Sequence, residues 1–329
     1  MLFIESFSQH DSKEEDNLSG NSQAAAIIQE VKKQVVGKDN VLKLMLSAIL
    51  SQGHVLLDDI PGVGKTTMAL AFSKALGLSF KRLQFTPDVL PSDILGFSVY
   101  NREKNAMVFQ KGAVFTNLFL ADEINRTSPK TQAALLEVME EQQVSVDGRT
   151  FPLEKPFIVL ATENPTGSSG TMKLPDSEMD RFMICLSMGY PSVKEEVEIL
   201  KRKETGLTVN AVTDAAGLLA MQKEAANVYV HDAVYDYIVR LVNATRNHTY
   251  LELGGSPRAS LSLTAMSRSL AYISGRDYVL PEDVQAVFLP VLIHRVLENR
   301  QARIDAVSKT TVLEEILQQV PKPAQRKDR

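Results

Sequence analysis

The 329-residue chain reads as an α/β protein: a mainly parallel sheet covered by helices, followed by a smaller all-α domain. Two observations predict this. Up to about residue 190, apolar runs of strand length alternate with segments of helical periodicity, the pattern of a sheet buried on both faces. Beyond Pro191 strand signals fade, and 193–203, 212–226, 233–247, 259–275 and 281–297 all read as helices. A boundary near 190 follows, with expected domains at 23–190 and 191–320. The polar stretch 1–22 is expected to be a disordered tail, and 321–329 a solvated polar one.

In chain order, Ile27, Ile28, Val31 and Val35 fall at helical spacing, and Leu42, Leu44, Met45, Ala48 and Ile49 suggest a second helix. His54 to Asp58 is a first buried strand; a glycine loop and a helix from about Lys65 to Leu76 follow it. Phe80 to Phe85 is a second strand, Asn117 to Asp122 a third, Phe157 to Ala161 a fourth and Phe182 to Leu186 a fifth. Ala134, Leu135, Val138 and Met139 form one face of the helix after the third strand. Two segments interrupt the alternation. Gly96 to Gly112 holds Phe97–Tyr100 and Ala106–Phe109 around a polar turn, a hairpin signature. Gln143 to Leu153 has an Asp147-Gly148 turn between alternating apolar residues, a strong hairpin signal.

Composition narrows the function. Lys and Arg number 36 against 40 Asp and Glu, a net charge of −4, which argues against a protein built to coat nucleic acid. No apolar run approaches the roughly 18 residues of a membrane span. Glu5, Asp11, Glu14, Glu15 and Asp16 stand where a signal peptide would be basic, so a cytoplasmic location is expected. The single cysteine, Cys185, excludes a disulfide framework or multi-cysteine metal site. Histidines 10, 54, 231, 248 and 294 show no ligand spacing and read as structural or exposed.

The chemistry begins after the first strand, with Asp59-Ile60-Pro61-Gly62-Val63-Gly64-Lys65-Thr66-Thr67. A strand, a glycine loop and Gly-Lys-Thr opening a helix form a phosphate-binding P-loop in its required context. The loop from Pro61 to Thr67 would cradle the phosphates: its backbone N–H groups, from Gly62 onward because proline has none, would turn onto phosphate oxygens, aided by the helix N-terminus. Lys65 would reach the β- and γ-phosphates of ATP, and the Thr66 hydroxyl would ligate Mg²⁺. Asp59 replaces the pattern's first glycine, a departure read as tolerable because Asp accepts left-handed backbone better than most residues. Leu118 to Glu123 supplies the partner acids: Asp122 for the metal through water, Glu123 to polarise the attacking water. Ala161-Thr162-Glu163-Asn164-Pro165 ends the next strand, so Asn164 could orient that water.

Together these motifs resemble the AAA+ ATPases, and longer stretches resemble the MoxR family within them: Gln84–Gly96, Asp122–Arg126 with Pro129–Gln132, Leu174-Pro175 before Asp180-Arg181-Phe182, and Gly255–Ser260. The resemblance runs from about Val31 to Leu297. It implies that the hairpins are the helix-2 insert and the pre-sensor-1 hairpin. It also implies a homo-oligomeric ring, usually a hexamer, with active sites between neighbours. Arg181 matches the family's arginine finger and Arg258 its sensor-2 arginine. Val35, Val36 and Gly37 match the turn that contacts adenine; Arg126, also in the signature, is read as an interface contact. Family members resemble chaperone-like factors in assembly or maturation of client proteins, often with a partner carrying a von Willebrand factor A domain. That domain's metal motif is absent here, so the partner would be a separate chain. The alternatives are a nucleic-acid-dependent motor, which the near-neutral hairpin tip Asp147-Gly148-Arg149 argues against, a metal-chelatase motor subunit, and a non-catalytic nucleotide-binding scaffold.

Overall fold

The computed structural model describes residues 22–163 and 174–323. The tail expected at 1–22 thus lies outside the described residues except for Ser22, which opens a helix, and Asn164 lies outside them too. The chain divides into two compact units. One holds Glu30–Val41 and Gln52–Leu219; the other holds 22–29, Leu42–Ser51 and the chain from Ala220 onward. Among the described residues no helix is long and apolar enough to cross a membrane.

Two helices, α1 (22–32) and α2 (Asp39–Leu50), precede the sheet. Then come β1 (Val55–Asp58), α3 (Lys65–Ala75), β2 (Phe80–Gln84) and the short α4 (Pro91–Leu95). The hairpin β3 (Gly96–Asn101) and β4 (Ala106–Lys111) leads to β5 (Leu118–Asp122), a 3-10 turn at Ile124–Arg126 and α5 (Pro129–Glu141). A second hairpin, β6 (Gln143–Val146) and β7 (Arg149–Pro152), is followed by β8 (Ile158–Glu163), α6 (Asp176–Met179), β9 (Ile184–Leu186) and α7 (Val193–Thr205).

Five strands form one parallel sheet in the order β2-β5-β8-β1-β9. Every residue of β5 is buried, and β8 is buried up to Ala161 and Thr162. Such unbroken apolar runs are what a sheet covered on both faces requires. Phe72 of α3 and Phe119 of β5 are fully enclosed, each worth about 2 kcal/mol of burial. Helix α5 begins at a Ser128 cap, whose hydroxyl accepts from the Thr131 N–H at 3.3 Å, with Pro129 as its first residue. Both hairpins form as expected. Asp147 and Gly148 take positive φ of 51° and 71°, as a tight two-residue turn demands. Phe109 of β4 stacks on Phe151 of β7, with ring centroids 4.0 Å apart.

The division expected near 190 falls elsewhere in the structure. Residues 191–219 belong with the sheet because backbone and side-chain bonds fasten them there. Val212 N–H donates to Ala75 O at 2.8 Å, Asn210 N–H to a Glu30 carboxylate oxygen at 3.0 Å, and the Arg202 guanidinium to Lys32 O. Conversely, Leu42–Ser51, most of α2 and the residue after it, joins the helical unit, where Gln222 Nε2 donates to Ile49 O at 2.8 Å.

The helical unit takes in the end of α8 (Ala215–Ala226), then α9 (Asp232–Arg246), β10 (Leu251–Leu253), α10 (Pro257–Ile273), α11 (Pro281–Leu292), β11 (Leu297–Glu298), α12 (Arg300–Ile304) and α13 (Lys309–Gln319). The segment read as one helix to 297 stops at Leu292, and the chain turns into β11, antiparallel to β10. Strands this short carry no period-2 signal, so the sequence alone did not reveal the ribbon. The loop before α10 is tied by Gly255 N–H donating to Thr245 Oγ1 at 2.9 Å and Arg246 Nε donating to Gly255 O at 2.8 Å.

A candidate nucleotide-binding site at the ends of the strands

In a parallel α/β sheet, ligands bind beyond the carboxyl ends of the strands. At the end of β1, Gly62 and Gly64 take φ of 88° and 97°, left-handed backbone open to glycine, and Gly64 caps α3. Lys65, the first residue of α3, is buried; its ammonium donates to Asp59 O at 2.6 Å and Glu163 O at 3.2 Å. Burial pulls the Lys65 pKa below the ordinary lysine value, against the carboxylates of Asp59, Asp122, Asp58 and Glu123, which push it up. The loop lysine and both predicted acids therefore share one local field.

The acids are held by contacts the motif does not specify. Asp122, at the end of β5 and 8% exposed, receives the Thr162 hydroxyl on Oδ1 at 2.6 Å. On Oδ2 it receives Arg82 Nε at 3.0 Å and Nη2 at 2.7 Å. Glu123 has left-handed backbone, φ 59° and ψ 49°, and its N–H donates to Thr162 Oγ1 at 2.8 Å. Its carboxylate pairs with Arg126 at 2.9 Å, so Arg126, read as an interface contact, bonds within its own chain.

Asp59 corrects another expectation. Its backbone is not among those with positive φ, so tolerance of left-handed geometry is not why it is there. Its buried carboxylate instead gathers the chain after β9. Oδ2 accepts from the Met188 N–H, from Gly189 N–H at 2.8 Å and from Ser187 Oγ at 3.1 Å, and Oδ1 accepts from Ile60 N–H at 2.9 Å. A glycine would supply none of these.

Beside the loop lies a cavity of about 240 Å³, lined by Val35, Val36, Gly62, Val63, Gly64 and Thr67 with Met188, Pro191 and Ile199. A second cavity of about 410 Å³ shares Val36, Thr67 and Ile199 and adds the basic Lys33, Arg202 and Lys203. The structure thus brings Val35 and Val36 to the glycine loop. Gly37 is not among the lining residues: a Cβ there would overlap the Glu195 carboxylate, which caps the start of α7 through Ser192 N–H at 2.7 Å. Pro61 is exposed at the loop's tip, and Thr66 is half-buried on α3. Arg181 lies 3.2 Å from the Glu140 carboxylate of α5. Arg258 is exposed in the first turn of α10, within the helical unit.

Among the described residues no three His, Cys, Asp or Glu side chains gather as a metal cage. The acids do suit a cation shared with phosphates. A carboxylate offers about four acceptor positions, and Thr162 and Arg82 occupy three on Asp122, leaving one for a metal-bound water. Sequence reasoning missed Arg82 and Thr162. Both become visible only once the strand order sets β5 between β2 and β8.

Comparison with known proteins agrees with this geometry. A family described as "ATPase family associated with various cellular activities (AAA)" matches residues 54–184, and an AAA lid domain matches 243–316. The chain is 43% identical over 302 residues to the YeaC protein of Bacillus subtilis, covering 91% of this chain and 94% of that one. It is 44% identical over 306 residues to the chaperone MoxR1 of Mycobacterium tuberculosis, covering 89% and 81%. A crystal structure of an ATPase candidate from Cytophaga hutchinsonii superposes with a TM-score of 0.89 at 36% identity, covering 96% of this chain and 99% of that one. The chain belongs to the MoxR family of AAA+ ATPases.

Proposed function

We propose that the chain is a Mg²⁺-dependent, ATP-hydrolysing motor that acts as a chaperone-like factor in the assembly or maturation of client proteins. The observation that carries the ATPase reading is the meeting of Lys65, Asp122 and Glu123 at the ends of β1 and β5, beside a cavity of nucleotide-compatible lining. The chaperone part rests on the family and on the name carried by the Mycobacterium tuberculosis relative.

In this reading the backbone N–H groups of 62–67, in the loop that Pro61 opens, and the Lys65 ammonium hold the phosphates, while Val35 and Val36 contact the base. Thr66 and Asp122 would hold Mg²⁺, which when bound neutralises charge on the β- and γ-phosphates. Glu123 takes a proton from a water whose oxygen attacks the γ-phosphorus. The bond from that phosphorus to the β–γ bridging oxygen breaks, and ADP leaves with its electron pair. The Glu123–Arg126 pair is partly exposed and worth about 0.2–1 kcal/mol, so the carboxylate can exchange this partner for water at small cost. Asn164 orients that water, Arg181 of a neighbouring subunit stabilises the transferring phosphoryl group, and Arg258 reads the nucleotide from the lid. The active form is then a cytoplasmic ring, a hexamer by family resemblance, with a separate von Willebrand factor A domain protein as its partner and no nucleic acid.

Phosphate release tests the reading. Hydrolysis is expected with Mg²⁺ and absent in EDTA, and double- or single-stranded DNA is expected not to stimulate it at physiological salt. Equal rates with and without Mg²⁺ would overturn the metal assignment, and clear stimulation by DNA would favour a nucleic-acid motor.

A further inference from the structure

We propose that Thr162 is the positioning residue of the two acids: one buried hydroxyl fixes both the Asp122 carboxylate and the peptide that carries Glu123. The inference rests on the reading of those acids given above and adds to it a residue that no motif assigns.

The register explains how a threonine comes to be there. Strand β8 runs between β5 and β1, with Ala161 beside Ala121 and Thr162 beside Leu57. One step beyond the Ala121–Ala161 pair sets Thr162 next to Asp122. Neighbours in register on parallel strands project from the same face of the sheet, so hydroxyl and carboxylate meet. Thr162 is fully buried.

The hydroxyl bonds in both directions. The Glu123 N–H can only donate, so at 2.8 Å Thr162 Oγ1 is its acceptor. The single hydroxyl proton then serves the other partner, Asp122 Oδ1, at 2.6 Å. Asp122 Oδ1 accepts that bond and has one further acceptor position for a metal-bound water. On the Glu123 side the same hydroxyl holds a backbone that L-residues avoid: φ 59° in a non-glycine residue is strained and persists only where something fixes it. That turn breaks the alternation of β5 and leads directly into the 3-10 segment at Ile124–Arg126. Arg82 holds the other Asp122 oxygen, but its side chain is 46% exposed; the buried arm of the clamp is Thr162. Valine has the same branched shape without the hydroxyl, and serine the hydroxyl without the methyl. A packing role would favour valine as the replacement, a positioning role serine.

The test compares Thr162→Val, Thr162→Ser and Thr162→Ala. Affinity for a slowly hydrolysed ATP analogue is measured by fluorescence titration in EDTA and in Mg²⁺, and kcat and KM for ATP are measured alongside. In EDTA, Thr162→Val is expected to bind within about twofold of wild type, because the P-loop is untouched. Its kcat should fall about 10–100-fold, and any gain in analogue affinity on adding Mg²⁺ should shrink by about tenfold, the usual cost of losing a partner that orients a ligand. Thr162→Ser should retain kcat within about threefold, since it keeps the hydroxyl. A Val variant with wild-type kcat and an unchanged Mg²⁺ effect overturns the proposal, as does a Ser variant as impaired as Val. Loss of EDTA binding in both Val and Ala would mean that the hydroxyl holds the fold rather than the acids, and overturns it too. Glu123→Gln is the control for the underlying reading. If it hydrolyses ATP normally, the acid assignment fails; if it is inactive while Thr162→Val is normal, only the role of Thr162 fails.

Discussion

The two ends of the first strand make opposite use of polar side chains. Just before β1, His54 is buried and fully satisfied: Nδ1 accepts from Val159 N–H at 3.0 Å, and Nε2 donates to Met139 O at 3.1 Å. Burial lowers its pKa to about 4, so the ring stays neutral and has nothing left to offer a ligand. Just after β1, Lys65 commits two of its three hydrogens, and Asp122 on β5 keeps acceptor capacity beyond its three donors. Both ends bury polar groups, yet only one leaves them incompletely used. Saturation by backbone marks a structural polar group; spare capacity at the carboxyl ends of parallel strands marks a site.

The largest expected effect lies with the residue assigned to complete the site from a neighbour. Arg181→Ala should bind ATP yet lose about 10³–10⁵ in hydrolysis, as loss of an arginine finger does. Mixing Arg181→Ala with Lys65→Ala subunits should restore some activity, because an intact P-loop can then face an intact finger. If subunits exchange and mixtures stay inactive at every ratio, the finger does not act in trans.

Lys65→Ala should weaken ATP binding by about 3 kcal/mol, a hundredfold or more in Kd, by removing the charged donor that the phosphates need. Calorimetric titration with wild-type affinity would break the contrast between the strand's two ends.

Asp59→Gly restores the motif's own glycine, so a reading by pattern alone expects no harm. The structure predicts the reverse. Losing a buried carboxylate that accepts from Ser187, Met188 and Gly189 should cost about 3 kcal/mol in chemical denaturation. Unchanged stability would remove Asp59 from its anchoring role.

How legible the chain was depends on the range of the interaction. The glycine loop, the Asp147-Gly148 turn and the apolar strands were readable because each is specified within about ten residues, by backbone chemistry or by period. Thr162 stood in plain view beside Asn164, yet its partner is 40 positions away and is set by strand order, which periodicity does not encode. Asp59 was visible as a departure, but its reason lies 129 positions away at Met188. Residues 191–219 looked like the start of the lid because they are helical; their bonds to Lys32 and Ala75 assign them to the sheet unit.

A smaller effect tests the structural end of the strand. His54 titrates near 6.5 when unfolded and near 4 when folded, so its contribution is complete above pH 6.5 and is lost as the pH falls toward 4. Between pH 7 and pH 5 wild type should lose about 2 kcal/mol more stability than His54→Asn. Parallel pH profiles for the two would show that His54 does not fold as a neutral, saturated ring.

The central claim is that spare polar capacity at the strand ends performs ATP hydrolysis, with Glu123 as the base. The most direct measurement is Glu123→Gln in a single-turnover assay with Mg²⁺, read beside the Kd for ATP. Binding should stay within about twofold of wild type, while the rate of phosphate formation falls by about 10²–10⁴, the contribution of a positioned general base. Wild-type phosphate formation in this variant would contradict the account.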